Sequence, residues 1–427
     1  MVSLNSSTVA QLRAEFPALQ QTFRNRPLIF FDGPGGTQVH ESVIEAMTRY
    51  LTEANSNIHG AFLYSQRTDE TVTAARQALA DFVNAPRPEE IIFGPNMTTL
   101  TFNISRAIGK TLRPGDEIVV TRLDHDANIA PWMALAERGV TVRHVDFDPA
   151  DCTLDMEEMS TLITERTKLV AVGYASNAVG TINDVRKIAE MAHAVGAWVY
   201  VDAVHYAPHG PIDVQALDCD FLVCSTYKFF GPHLGVLYGR YELLATLPAY
   251  KVRPANDNPP YKFETGTGNF EAMAGATATV DYLASVGRRF GEAFSDQFSN
   301  FAGRRLELKT AMLATQTYER GLLERLITGL QQIPDIHIYG ITDPARFDHR
   351  VPTVSFRMAG VHPRRVAQRL AEANVFVWDG NFYALAVTER LGIESPSLGG
   401  LVRVGVAHYN TAEEVDTLLG VLADMPR

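Results

Sequence analysis

Two stretches settle how this chain folds: Trp198-Val199-Tyr200-Val201-Asp202-Ala203-Val204-His205 and Phe221-Leu222-Val223-Cys224-Ser225-Thr226-Tyr227-Lys228-Phe229-Phe230-Gly231-Pro232. Each begins with residues that are apolar at nearly every position, and each then turns polar. A strand with one wet face alternates apolar and polar residues, whereas a continuous apolar run is buried on both faces, as in a parallel sheet between helical layers. Further short runs lie at 91–93, 117–120, 169–172 and 236–238, with a less continuous one at 142–145, separated by helical patterns. The chain therefore reads as α/β, with a mostly parallel seven-stranded sheet covered on both sides. Segment 183–195 shows the local grammar. Asn183 or Asp184 can cap a helix, Ile188, Met191 and Val195 form an apolar stripe, and Gly196 stops it before the next strand.

Around 251–268 the pattern breaks at Pro254, Pro259 and Pro260, which marks a surface loop. A long amphipathic helical stretch is expected over 272–332. The C-terminal part reads as a smaller α/β unit with strands at 336–339, 353–356, 375–377 and 402–406. Its helices fall at 362–373 and 411–423, the latter opened by a Thr411-x-x-Glu414 capping box. The division expected is a helical segment at 1–26, a large domain at 27–285 and a small domain at 286–427. Near the start, Val9, Leu12 and Phe16 share one helical face, with no apolar secretory core.

Composition narrows the function. With 427 residues, 46% of them hydrophobic, and a formal net charge of −11, the chain offers no basic surface for nucleic acid or anionic membrane. No run reaches the roughly 20 apolar residues of a membrane helix. Cys152, Cys219 and Cys224 fit no zinc or disulfide spacing, and the two in or beside apolar strands read as small buried hydrophobes. The expected location is the cytoplasm, and no metal site is expected.

In open parallel sheets, ligands bind at the carboxyl ends of the strands. Asn177, Asp202 and Lys228 fall at such ends. A carboxylate closing one strand and a Ser-x-x-Lys closing the next is the layout expected around pyridoxal phosphate: Lys228 holds the aldehyde and Asp202 faces the pyridine nitrogen. A structural salt bridge would also account for that pair. Met97-Thr98-Thr99 opens a helix whose N–H groups and hydroxyls suit a phosphate, or simply caps it. His125, after the run at 117–120, is placed to lie over a pyridine ring, though a lone loop histidine is commonly a surface residue. Arg403 interrupts an apolar strand, where it serves either a substrate carboxylate or a buried ion pair.

Taken together, Asp202-x-x-His205, Ser225-x-x-Lys228, Ala175-Ser176-Asn177-x-x-Gly180-Thr181, His125-x-Ala127-Asn128-x-x-Pro131-Trp132 and Gly266-Thr267 resemble the class V aminotransferase family. The likeness is greatest to its cysteine desulfurase and selenocysteine lyase branch. It implies fold type I, pyridoxal 5'-phosphate and an amino-acid substrate. By that resemblance Lys228 holds the cofactor, Asp202 its ring nitrogen, and His125 stacks on the ring. Asn177 and His205 lie near the phenolic oxygen, and Thr98, Thr99, Ser225 and Tyr227 bind phosphate. Thr267 reaches the phosphate of a neighbouring subunit, which implies a homodimer with shared sites. Arg403 and the Gly35 backbone take the substrate carboxylate, while Asn57 and His59 line the entrance.

The chain also departs from that branch. Where desulfurases of this kind carry a persulfide-forming cysteine, the segment reads Trp378-Asp379-Gly380-Asn381-Phe382-Tyr383-Ala384, and no cysteine follows Cys224. A phenol cannot form a persulfide. His205 replaces a glutamine and Tyr227 a histidine, choices that look more like kynureninases. Trp378 and Phe382 make the loop aromatic and Gly60 stands where arginine is frequent, which points to a bulkier or less polar substrate side chain. The expected reaction is C–S cleavage by β-elimination. The alternatives are a desulfurase using an external thiol, an epimerase or aminotransferase, and a non-enzymatic cofactor-binding protein.

Overall fold

The computed structural model describes residues 3–425. Its main sheet has seven strands in the spatial order Ile91–Gly94, Gly235–Gly239, Phe221–Ser225, Trp198–Asp202, Thr167–Gly173, Glu117–Thr121, Thr141–Val145. Every apolar run singled out in the sequence is a strand of this sheet. All neighbours pair in parallel except Gly235–Gly239, which runs antiparallel to both of its own. Alternate residues feed opposite cores. Val119, Val170 and Leu222 pack on one face, while Ile118, Leu169, Phe221 and Trp132 pack on the other. The edge strand Thr141–Val145 is exposed or half-buried until Val145, as befits a strand with a single neighbour. The helix Val185–Ala194 is capped by Asp184, which accepts from the Lys187 N–H, and Gly196 at φ +76° turns the chain into the next strand.

Helical stretch 272–332 is not continuous. Helix Phe270–Phe290 ends at Gly291, a short turn spans Glu292–Phe298, and a second helix runs over Gly303–Gln332 and packs against the first. The two helices meet at close range: a Cβ at Gly287 would overlap the Glu307 carbonyl, and one at Gly291 would overlap Thr310. Two glycines thus let the helices cross at backbone distance, where one straight rod would leave both apolar faces uncovered. Gly287→Ala is expected to cost about 1–3 kcal/mol by overpacking, read as a lowered thermal midpoint with the cofactor site intact.

The C-terminal unit is a four-stranded antiparallel sheet in the order Ile336–Tyr339, Thr353–Met358, Leu401–Gly405, Trp378–Gly380. Trp378–Gly380 was not expected as a strand. The expected strand at 375–377 is the two residues Val375–Phe376, and it joins Ile29–Phe30 rather than this sheet. Ile29 and Phe31 pack in the same core as Leu326, Phe356 and Val404. The segment around residue 29 thus packs with the C-terminal unit. Helix Ala412–Ala423 carries the expected Thr411–Glu414 capping box. Val9, Leu12 and Phe16 are buried, although Phe16 lies beyond the end of helix Ser6–Ala14. Among the described residues no helix is long and apolar enough to cross a membrane.

Candidate active site

The parallel strands end on one side of the sheet, where a single cavity opens against the small unit. Gly35, Thr98, Thr99, His125, Asn177, Asp202, His205, Tyr227, Lys228, Tyr383 and Arg403 all line it. Four sequence-derived candidates do not. Ser225 is fully buried, and its Oγ accepts the Met97 N–H at 3.0 Å, so it positions the start of helix Met97–Gly109 rather than facing the cavity. Asn57, His59 and Thr267 line an adjoining cavity that shares Thr99 and His233 with the first. His59 stands largely in solvent, 3.2 Å from Asp69.

Lys228 sits in the turn Thr226–Lys228 directly after its strand, and its ammonium donates to the Pro34 carbonyl. Burial, reinforced by the Arg403 charge, pulls its pKa down to about 7, against the pull of Asp202 and Asp32. Asp202 closes strand Trp198–Asp202 and accepts the Val204 N–H at 2.9 Å. Burial pushes its carboxyl up to about 6. His125 accepts the Ala127 N–H on Nδ1 at 3.0 Å, which leaves its proton on Nε2. Burial, then Lys228 and Arg403, pull it down to about 4, so the imidazole is neutral. His205 is also held neutral by burial and pairs through Nε2 with Thr353 Oγ1 at 2.9 Å. Arg403 donates to the Asn177 carbonyl at 2.8 Å, and its guanidinium lies 4.1 Å from the Phe382 ring centre.

Three residues at the site escaped the sequence reading. Asp32, which follows the apolar residues 28–31, is pushed up to about 6 by burial and lies within the fields of Arg403 and Lys228. Its signal was the one that marked Asp202: a carboxylate closing an apolar run. Asp124 is buried behind Asp202 and accepts the Gly173 N–H at 2.5 Å. His233 stacks on Tyr227 with ring centres 5.0 Å apart.

The polar groups left over fit pyridoxal phosphate. Asn177 Oδ1, Arg403 Nε and Asp32 Oδ1 are buried without a protein partner, a costly state unless a bound molecule satisfies them. A buried carboxylate with no cation in hydrogen-bond contact suits a pyridinium N–H. A lysine half neutral near pH 7 suits an aldehyde. The N-terminus of helix Met97–Gly109, with two threonine hydroxyls, suits a phosphate. Gly235 lets its strand pass against the Asn96 backbone, since a Cβ there would overlap it. The lysine pKa has a consequence for cofactor capture. The rate at which cofactor-free protein takes up pyridoxal phosphate should rise with pH through about 7 and level off above, because only the neutral amine attacks an aldehyde. Stopped-flow absorbance across pH 5.5–10 checks this; a rise continuing towards the ordinary lysine range of about 10.4 would contradict it.

Fold and site together define a fold type I enzyme dependent on pyridoxal phosphate. More particularly, the chain belongs to the class-V aminotransferase family, which it matches over residues 29–310 and 302–418. It is 34% identical to a cysteine desulfurase of Synechococcus elongatus, across 97% of this chain and 63% of that protein's length. It is 33% identical to a probable cysteine desulfurase of Synechocystis, across 98% of this chain and 96% of the other. Among solved structures it resembles a cysteine desulfurase from Thermococcus onnurineus, with a TM-score of 0.85, 28% identity and 99% of both chains covered. One from Escherichia coli gives 0.80, 27% and 97% of both.

Proposed function

We propose that the protein is a C–S lyase, which removes sulfur from Cβ of an amino acid by β-elimination with pyridoxal phosphate. The observation that carries this reading is the absence of a thiol from the cavity. All three cysteines are buried and none lines it. Burial raises every one of their thiol pKa values, that of Cys152 to about 12. At the position where the resemblance places a persulfide cysteine, Tyr383 stands at the cavity lip, stacked on His125 with ring centres 5.6 Å apart. Sulfur leaving Cβ therefore has no protein acceptor and departs as a free sulfur species.

The chain's own groups divide the work. Arg403 would hold the substrate carboxylate, its plane fixed by Phe382 and the Asn177 carbonyl. Lys228, half neutral near pH 7, would take the Cα proton. Asp202 would keep the pyridine nitrogen protonated, and neutral His125 would lie over the ring. The bound cofactor supplies the sink for the electron pair left at Cα. Thr98, Thr99 and Tyr227 would meet the phosphate, with Thr267 of a second subunit completing it in a homodimer.

The relatives' names favour a second reading, a desulfurase that hands sulfur to an external thiol. Product analysis of the holoenzyme with L-cysteine separates the two. Pyruvate and ammonia, unchanged by added thiol, support elimination; alanine formed in step with added thiol overturns it.

A further inference from the structure

We propose that the site is built for a cysteine whose sulfur carries a ring-sized apolar group, an S-aryl cysteine, in preference to cysteine itself; this rests on the β-elimination reading above. Trp378 and Arg403 are direct partners in the ladder between Trp378–Gly380 and Leu401–Gly405. Directly opposed residues send their side chains to the same face of a sheet, so the indole stands beside the carboxylate anchor. It lies on Gly35, where a Cβ would overlap it. Phe382 covers the face of the Arg403 guanidinium and Tyr383 covers His125. Three aromatic rings thus surround the two groups between which the amino acid is held.

Much of that surface is open to water: Trp378 is 48% exposed and Tyr383 74% exposed. The loop is held in place all the same. Asn177 Nδ2 donates to the Phe382 carbonyl at 2.9 Å, and the Asp126 N–H donates to the Tyr383 carbonyl at 2.7 Å. Phe382 and Tyr383 both adopt φ +58°, a left-handed conformation that bulky residues adopt only when the surroundings impose it. A bare thiol has no atoms to cover such a wall, whereas a planar ring does. Charge points the same way. Lys228 and Arg403 are the only lysine and arginine among the cavity-lining residues, so a substrate side chain bearing a second carboxylate meets no free cation. On the aromatic side, Asp379 is already paired with Arg364, and Glu394 with Asn381 and Thr388.

The reaction balances as R–S–CH2–CH(NH3+)–COO− plus water giving R–SH, pyruvate and ammonium. The Cα–H bond breaks with its proton going to Lys228. The Cβ–S bond breaks with its electron pair on sulfur, which leaves as the thiol after gaining a proton, and water replaces nitrogen at Cα.

The test compares S-phenyl-L-cysteine, S-methyl-L-cysteine and L-cysteine with holoenzyme, following pyruvate. It is paired with binding of unreactive L-phenylalanine and L-alanine, read from the cofactor's visible spectrum. The phenyl compound is expected to exceed the methyl compound in kcat/KM by about tenfold to a hundredfold, the scale of burying one aromatic ring. L-phenylalanine should outbind L-alanine to a similar degree. Trp378→Ala should erase both preferences while Trp378→Phe keeps most of each. Equal values for phenyl and methyl compounds, or preferences unmoved by Trp378→Ala, overturn the proposal. If L-cysteine yields alanine, the elimination reading fails instead, and the phenylalanine-to-alanine ratio then judges the aromatic wall alone.

Discussion

Lys228→Ala protein is expected to lose the visible absorbance of lysine-held cofactor and to lose turnover by well over the 10²–10⁴-fold typical of a general base alone. Two roles fall together in this residue. In the proposed mechanism its amine would hold the aldehyde between turnovers and move the Cα proton during them, so no neighbour would replace it. His125, proposed to lie over the ring, is a poor substitute, because burial keeps it neutral only by making it a weak base, near pKa 4. The fold should survive, because the Lys228 ammonium makes one hydrogen bond, to the Pro34 carbonyl. Absorbance spectra and a thermal melt check both halves. A visible spectrum unchanged from the parent would place the cofactor on another lysine.

The second large effect belongs to Asp202. Asp202→Asn is expected to keep the cofactor, because Lys228 and the helix N-terminus remain, and yet to lose about 10²–10⁴-fold in kcat. A neutral amide does not hold a pyridine nitrogen protonated. The same substitution has the opposite effect on cofactor-free protein. Burial raises the folded-state pKa of Asp202 to about 6, above its ordinary 3.8, so the folded state keeps a proton that the unfolded chain gives up. That group's contribution to stability is therefore present below pH 4 and is lost as pH rises through about 6. At pH 7, cofactor-free Asp202→Asn should melt higher than its parent. A variant that is both colourless and less stable would instead mark Asp202 as a structural ion-pair partner.

Much of this site is legible in the sequence because the sheet is parallel and buried on both faces. Continuous apolar runs locate the strands, and strand ends locate the ligand side, so Asn177, Asp202 and Lys228 follow from pattern alone. Where legibility fails, the deciding contact is distant. Trp378–Gly380 is a strand only because Leu401–Gly405 lies beside it. The helix break at 291–303 brings Gly287 against Glu307, a contact between residues twenty positions apart that no local pattern announces. Ser225 looks like a phosphate ligand next to Lys228, but its hydroxyl oxygen is taken by the Met97 N–H from another element. Asp32 closes the apolar run 28–31 much as Asp202 closes its strand, but its importance comes from Arg403, which lies far along the chain and which no local pattern connects to it.

All of the proposed chemistry depends on attachment of the cofactor to Lys228. Borohydride reduction of holoenzyme, followed by proteolysis and mass spectrometry, fixes the cofactor to whichever lysine holds it. A single phosphopyridoxyl group on the peptide containing Lys228 is the predicted result. Modification at a different lysine, or none after full loading, would contradict the account.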